Sequence, residues 1–143
     1  MSEKKEIILC LDVGTKRIGV AKSDALGIAA HILPVILRKS DEEAVNAIVA
    51  LVKGEEVGRV VIGLPINMDD TQGPAVDMVK FFARELKKQL SIPMEFWDER
   101  LSTQEAERFL IEKADMSRSK RKTKIDSLSA QIILASYMQS KGR

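Results

Sequence analysis

Asp12 stands where an apolar run, Ile7-Ile8-Leu9-Cys10-Leu11, meets a glycine-flanked basic turn, Gly14-Thr-Lys-Arg-Ile-Gly19. The run is apolar without alternation, as in a strand covered on both faces, so a carboxylate at its end requires a cation or a cluster of N–H donors to satisfy it. Two further acids occupy comparable settings. Glu99 follows the apolar 94–97 run within Asp98-Glu-Arg-Leu-Ser-Thr103, and Asp126 lies within Lys124-Ile-Asp-Ser-Leu-Ser-Ala130 at a helix start. Carboxylates about 4 Å apart repel by roughly 4 kcal/mol at an effective dielectric near 20, a conflict that a divalent cation resolves. With one cysteine, Cys10, and one histidine, His31, a zinc site is excluded in practice, and all-oxygen donors suit Mg²⁺ or Mn²⁺. Such ions activate water against phosphodiesters, which is nuclease chemistry.

Each acid also has a plainer reading. Asp12 could cap the turn that follows it. Glu99 could pair with Arg17 or Arg100 at the surface, and Thr123-x-x-Asp126 resembles a capping box, with an acid in a first helical turn. Gly14-x-x-x-x-Gly19 has the glycine spacing of a Walker A loop, but Val20-Ala21 replaces the required Lys and Ser/Thr, so a P-loop is rejected. His31 reads as a strand residue, and Phe81, Phe82, Phe96 and Trp97 read as core.

The elements that must position these acids follow from the pattern. Strands are expected at 7–12, 18–23 and 28–37, joined by short turns as antiparallel neighbours. Ser40-Asp-Glu-Glu43 is a capping box, and Val45, Ile48, Val49 and Val52 continue it as a helix to Gly54. A buried strand at 59–65 leads through a polar loop to Gly73-Pro74, where proline opens a helix carrying Val76, Val79, Ala83 and Leu86 on one face. A short strand at 94–97 comes next, then a second capping box, Ser102-Thr-Gln-Glu105, with a helix reaching about residue 114. The last helix is expected at 124–139. Helix–strand alternation after three strands predicts an α/β sheet whose later strands run parallel to the first, with helices on both faces. Ligands of such sheets gather at the carboxyl ends of the parallel strands, where Asp12, Gly63 and Glu99 fall.

A chain of 143 residues suits one domain, residues 1–143, with a real core. The net charge of +2 is uninformative because 23 cations nearly balance 21 acids. Their distribution says more: Lys113, Arg118, Lys120, Arg121, Lys122 and Lys124 face only Asp115 in that stretch, which reads either as a solvated linker or as a loop contacting nucleic-acid phosphates. Cys10 alone allows no internal disulfide. Asp12 ends the first apolar run short of a signal-peptide core, and no run approaches the ~18 residues of a membrane helix, so a cytoplasmic protein without membrane contact is expected.

Together, Leu11-Asp-Val-Gly-Thr-Lys-Arg-Ile-Gly-Val-Ala21, Ile62-Gly-Leu-Pro65, Asp98-Glu-Arg-Leu-Ser-Thr103 and Lys124-Ile-Asp-Ser-Leu-Ser-Ala130 resemble the YqgF/RuvX family of ribonuclease-H-like proteins, across nearly the whole chain and in order. The resemblance implies an α/β ribonuclease-H-like fold, a five-stranded mixed sheet with helices on both faces. It also implies a metal-dependent endonuclease that matures the 5′ end of pre-16S rRNA in ribosome biogenesis, with Asp12, Glu99 and Asp126 as catalytic ligands of Mg²⁺ or Mn²⁺. Lys16, Arg17, Arg100, Lys120, Arg121, Lys122 and Lys124 are the expected nucleic-acid contacts, the partner being precursor rRNA, with the small-subunit precursor around it, or branched DNA. Two positions depart from the family pattern: Ser129 replaces a common alanine, and Asp69-Asp70 replaces a common Asp-Gly. Asp98, expected on the opposite face from Glu99, is not assigned a catalytic role.

Three other readings remain. A Holliday junction resolvase would use the same acids but asks for a dimer, and with no heptad or long apolar stripe the chain reads as a monomer or weak homodimer. A non-catalytic nucleic-acid or transcription-complex binding factor would keep the fold alone. Leu11-Asp-Val-Gly-Thr15 also resembles the first phosphate loop of actin-like and kinase domains, which need two such domains.

Overall fold

The computed structural model describes residues 6–101 and 118–141, with 118–126 by their backbone alone. The helix expected from Ser102 to about residue 114 lies outside the described residues. Strands β1 (Ile7–Val13), β2 (Arg17–Ser23), β3 (Ala30–Leu37), β4 (Val57–Leu64) and β5 (Met94–Asp98) form one sheet in the order β3-β2-β1-β4-β5. The first three strands meander antiparallel, while β4 and β5 run parallel to β1, as the alternation implied. Helices α1 (Asp41–Gly54) and α2 (Pro74–Lys87) supply the crossovers, a short 3₁₀ turn covers Glu99–Leu101, and α3 spans Arg118–Ser140.

Local chemistry sets the helix starts. The Ser40 hydroxyl accepts the Glu43 amide at 3.1 Å, closing one side of the capping box. Pro74 opens α2 behind the extended Gly73 N-cap. The period-2 pattern then divides the sheet. Leu9, Leu11, Ile18, Val20, Val60 and Ile62 pack against α1 and α2 around Phe82 and Leu86. On the other face Cys10, Ala21 and Val61 meet Ala130, Ile133, Leu134 and Tyr137 of α3.

Side-chain polar bonds fix α3 across that second face. Ser127 Oγ donates to the Leu33 carbonyl at 2.9 Å and Gln131 Nε2 to the Ala30 carbonyl at 2.8 Å. Toward its other end the Tyr137 hydroxyl donates to Glu95, and its ring meets Trp97 edge-on at 5.5 Å. The helix thus crosses from β3 to β5.

Two expectations are corrected. Lys120-Arg121-Lys122 lies within α3 and not in a loop, since the helix begins at Arg118. That stretch holds no Gly or Pro, and Lys and Arg are good helix formers whose mutual repulsion costs only tenths of a kcal/mol per pair. Phe82 is fully buried and Trp97 half-buried, but Phe81 is 48% exposed and Phe96 39% exposed, so these two are not core. Phe96 sits on an edge strand, where among the described residues one flank has no neighbouring strand to cover it.

Candidate active site

Asp12 lies one row beyond the buried Leu11 on β1, on the face shared with Cys10 and covered by α3. Glu99 follows β5 in the 3₁₀ turn, two residues past Trp97, which packs toward that same face. Between β1 and β5 runs β4, whose Gly63 pairs with Trp97. A Cβ at Gly63 would stand 2.7 Å from Glu99 Oε2 and 2.9 Å from its Cγ, so the Glu99 side chain lies across the bare glycine backbone toward Asp12. The two acids come from separate parallel strands and meet over a strand that offers no side chain. Glu99 is hydrogen-bonded to Asp12.

Burial, with Asp12 alongside, pushes the Glu99 carboxyl up to about 8. The pair holds a shared proton where a hard cation would be the alternative. Directly beneath, burial and the two nearby acids raise the Cys10 thiol well above its ordinary value, so it stays protonated and adds no soft donor. The donor set is therefore all oxygen, which fits Mg²⁺ or Mn²⁺. Among the described residues no group of three metal-ligating side chains forms, and the side chain of Asp126 lies outside them.

The pair has a consequence for stability. Glu99's folded pKa lies above its ordinary 4.5, so the folded protein keeps a proton that the unfolded chain releases. The stabilisation is complete below about 4.5 and lost as pH rises through about 8. In chelator the melting temperature is expected to fall across this window, and Glu99→Gln to flatten the fall. Mg²⁺ or Mn²⁺ added at about pH 8 should recover the lost degrees, by mass action on the folded state. A melting curve series in pH, with and without cation, checks all three.

The chain matches a family model described as "RuvX: Holliday junction resolvase" over residues 6–140. It is 53% identical over 133 residues to a protein of Caldanaerobacter subterraneus named "Putative pre-16S rRNA nuclease", covering 93% of this chain and 96% of that one. A Carboxydothermus hydrogenoformans protein of the same name is 50% identical over 136 residues, with 95% and 98% covered. The chain belongs to the RuvX family. Among solved structures its fold resembles the Fowlpox virus resolvase bound to Holliday junction DNA, with TM-score 0.58, 12% identity and coverage of 96% and 99%. It also resembles Thermus thermophilus RuvC with a junction substrate, at TM-score 0.52 and 12% identity, with 96% of each chain covered. These likenesses confirm the ribonuclease-H-like, resolvase-type sheet expected of a RuvX chain.

Within this RuvX fold the expected phosphate contacts are placed differently from one another. Lys16 is exposed on the β1–β2 turn and Arg17 opens β2, both at the end of the sheet that carries Asp12. Arg100 is instead engaged with acids on the site's rim: it forks onto Asp98 through Nε and Nη2, and Nη1 reaches Asp70 at 2.6 Å and the Asn67 carbonyl at 3.1 Å. Those two acids raise its pKa, and Arg100 in turn holds Asp98 below the usual carboxylate range, so Arg100 pairs with Asp98 and not Glu99. Asp98 turns its carboxylate to Arg100, and β5 ends there, so Glu99 is placed by the 3₁₀ turn and not by strand alternation. The bridge to Asp70 ties the loop after β4 to the segment bearing Glu99. Asp70 itself sits at φ 72, the left-handed region that the family's usual glycine favours, and its ion pair with Arg100 helps hold it there. Lys120, Arg121, Lys122 and Lys124 stand in the first turns of α3, their side chains outside the described residues.

The sequence reading missed Arg38. Its side chain is only 9% exposed, and it donates through Nη1 to the Gly14 carbonyl and through Nε to Asp41, with its guanidinium 5.0 Å from the Phe82 ring centroid. Its amide also donates to the Lys16 carbonyl. One arginine thus pins the turn that follows Asp12 to the start of α1 and to α2. The only sequence signal was a cation immediately after an apolar strand, which is too common to select it.

Proposed function

We propose that this protein is a metal-dependent endonuclease that hydrolyses backbone phosphodiesters of structured nucleic acid, acting in 5′-end maturation of pre-16S rRNA. The observation that carries the reading is the carboxylate pair Asp12–Glu99, drawn together over Gly63 at the carboxyl ends of parallel strands. The relatives' shared name, at about half identity along nearly their full length, supports the rRNA substrate. Bound between these acids, Mg²⁺ or Mn²⁺ would supply water activation and charge neutralisation at the phosphate. Asp12 and Glu99 hold and orient the donor oxygens, and the Gly63 cradle fixes the Glu99 rotamer. Lys16 and Arg17, carried on the turn that Arg38 pins, meet the neighbouring phosphates.

Asp126 completes the proposed ligand set. Backbone register supports it: Ser127 is anchored at Leu33, which pairs with Val20, which pairs with Leu11, the residue before Asp12. Asp126 also precedes Ala130 and Ile133 by four and seven residues, and both of those pack on the sheet. A junction resolvase built on the same acids is the second reading, favoured by the family model's own description.

The test is to incubate the protein with Mg²⁺ or Mn²⁺ and two labelled substrates, a pre-16S rRNA 5′ region and a four-way DNA junction. Cation-dependent cutting of the RNA alone is expected; symmetric cutting of the junction alone would establish the resolvase. Retained binding with no cutting of either would leave a binding factor. Charge reversal at Lys120, Arg121 and Lys122 is expected to weaken binding and flatten its dependence on salt by roughly 0.7–0.9 in log–log slope for each phosphate no longer neutralised. Titrating affinity against salt concentration checks it.

A further inference from the structure

A second surface lies on the sheet face opposite the carboxylates. Between α2 and β5 is a cavity of about 240 Å³ whose apolar lining is Ile62, Ala83, Met94 and Phe96. Phe96 is the half-exposed ring that the edge position of β5 leaves uncovered. Along the groove stand Lys80, Arg84 and Lys87, at i, i+4 and i+7 on α2, a row of cations about 10 Å long. None of the three belongs to an ion pair among the described residues, and Lys80 donates only to the Gln72 side chain. The acid lining the cavity, Glu95, is already engaged by Arg59 and the Tyr137 hydroxyl. Among the described residues the cations are therefore uncompensated.

A ligand complementary to this groove has a flat apolar face for Phe96 and negative charges repeated along about 10 Å. We propose that the groove binds a single-stranded stretch of nucleic acid next to the segment being cut, a base stacking on Phe96 while successive phosphates meet Lys80, Arg84 and Lys87. Stacking on an aromatic ring beside a cationic track is how single strands are held without regard to sequence. Phe96 lies three residues before Glu99 on the same strand and its turn, so a strand leaving the carboxylates around the β5 edge enters the groove directly. An acidic peptide would match the charges but leave the ring without a stacking partner. The proposal rests on the nuclease reading for its substrate, although the groove's own chemistry is read independently of cleavage.

The test uses the full chain in chelator and compares two RNA probes, a blunt duplex and the same duplex with a single-stranded tail of about ten uridines. The tail is expected to tighten binding about tenfold. Phe96→Leu, which keeps apolar volume, should remove most of that gain while leaving blunt-duplex binding unchanged. Lys80→Glu combined with Arg84→Glu and Lys87→Glu should flatten the salt dependence for the tailed probe by about 2 in log–log slope. The circular dichroism and melting temperature of both variants establish that they are folded. A tail gain that persists in both variants, or a wild type with no gain, overturns the proposal, as does polyglutamate binding that is lost with Phe96→Leu, which would assign the groove to a protein partner. Failure of the nuclease reading is separate: neither substrate would be cut with cation, while the tail gain remained.

Discussion

Asp12→Asn is expected to lower cation-dependent cleavage at least about a thousandfold, equivalent to about 4 kcal/mol of transition-state stabilisation, with folding and nucleic-acid affinity almost unchanged. The substitution is isosteric and leaves the backbone of β1 intact, so packing of Cys10 and Leu11 is preserved. What it removes is one negative charge beside Glu99, whose carboxyl is raised first by burial and then by Asp12. Glu99 should therefore titrate closer to an ordinary carboxyl in the variant, and the pH-dependent loss of stability should shrink together with the activity. Single-turnover cleavage with a melting series in pH measures both. A variant cutting at the wild-type rate would remove Asp12 from the mechanism. Lost cleavage with an unchanged pH profile of stability would show that the two acids are not coupled.

Much of the fold was legible because period and punctuation agreed. The unalternating run before Asp12 marked a strand buried on both faces, and Ser40-x-x-Glu43 and Gly73-Pro74 marked helix starts that the structure reproduces. The extent of α3 was not legible. Clustered charge with interspersed serine reads equally as loop and as solvated helix, and periodicity says nothing where no apolar residue recurs. Phe96 was misread because apolar character does not reveal that a strand will sit at a sheet edge, and Phe81 because it does not reveal that a helix residue lies off the buried face of α2. In the site, Asp12 and Glu99 were visible as charges at the ends of apolar strands. Arg100 was visible only as a cation next to an acid, and composition cannot distinguish a phosphate contact from a brace between Asp98 and Asp70. Arg38 was invisible because its partners, the Gly14 carbonyl and the Phe82 ring, come together only in three dimensions.

Gly63 was noticed as a strand end, but its role depends on what crosses it, and this gives a prediction nearly as large as the first. Gly63→Ala is expected to reduce cleavage about a hundredfold or more while costing little stability. The added Cβ would meet Glu99 Oε2 at 2.7 Å, Glu99 Cγ at 2.9 Å and Ile133 Cδ1 at 3.0 Å, contacts too short to persist. The oxygen and the Ile133 methyl are ends of flexible side chains and no backbone atom is struck, so the Glu99 side chain yields before the sheet does. Displaced by even an ångström, Glu99 no longer meets Asp12, and a misplacement of that size is enough for about a hundredfold loss of rate. Because the shared proton needs the two acids together, the melting temperature should also lose much of its dependence on pH. Gly54→Ala is the matching control: its Cβ meets nothing within 4 Å at the end of α1, so it should stabilise by about 0.5–1 kcal/mol and leave cleavage unchanged. If Gly63→Ala cleaves normally, the Glu99 side chain reaches the reacting phosphate by a path that does not cross β4. Loss of activity and fold together would instead show the glycine to be a packing requirement of the sheet.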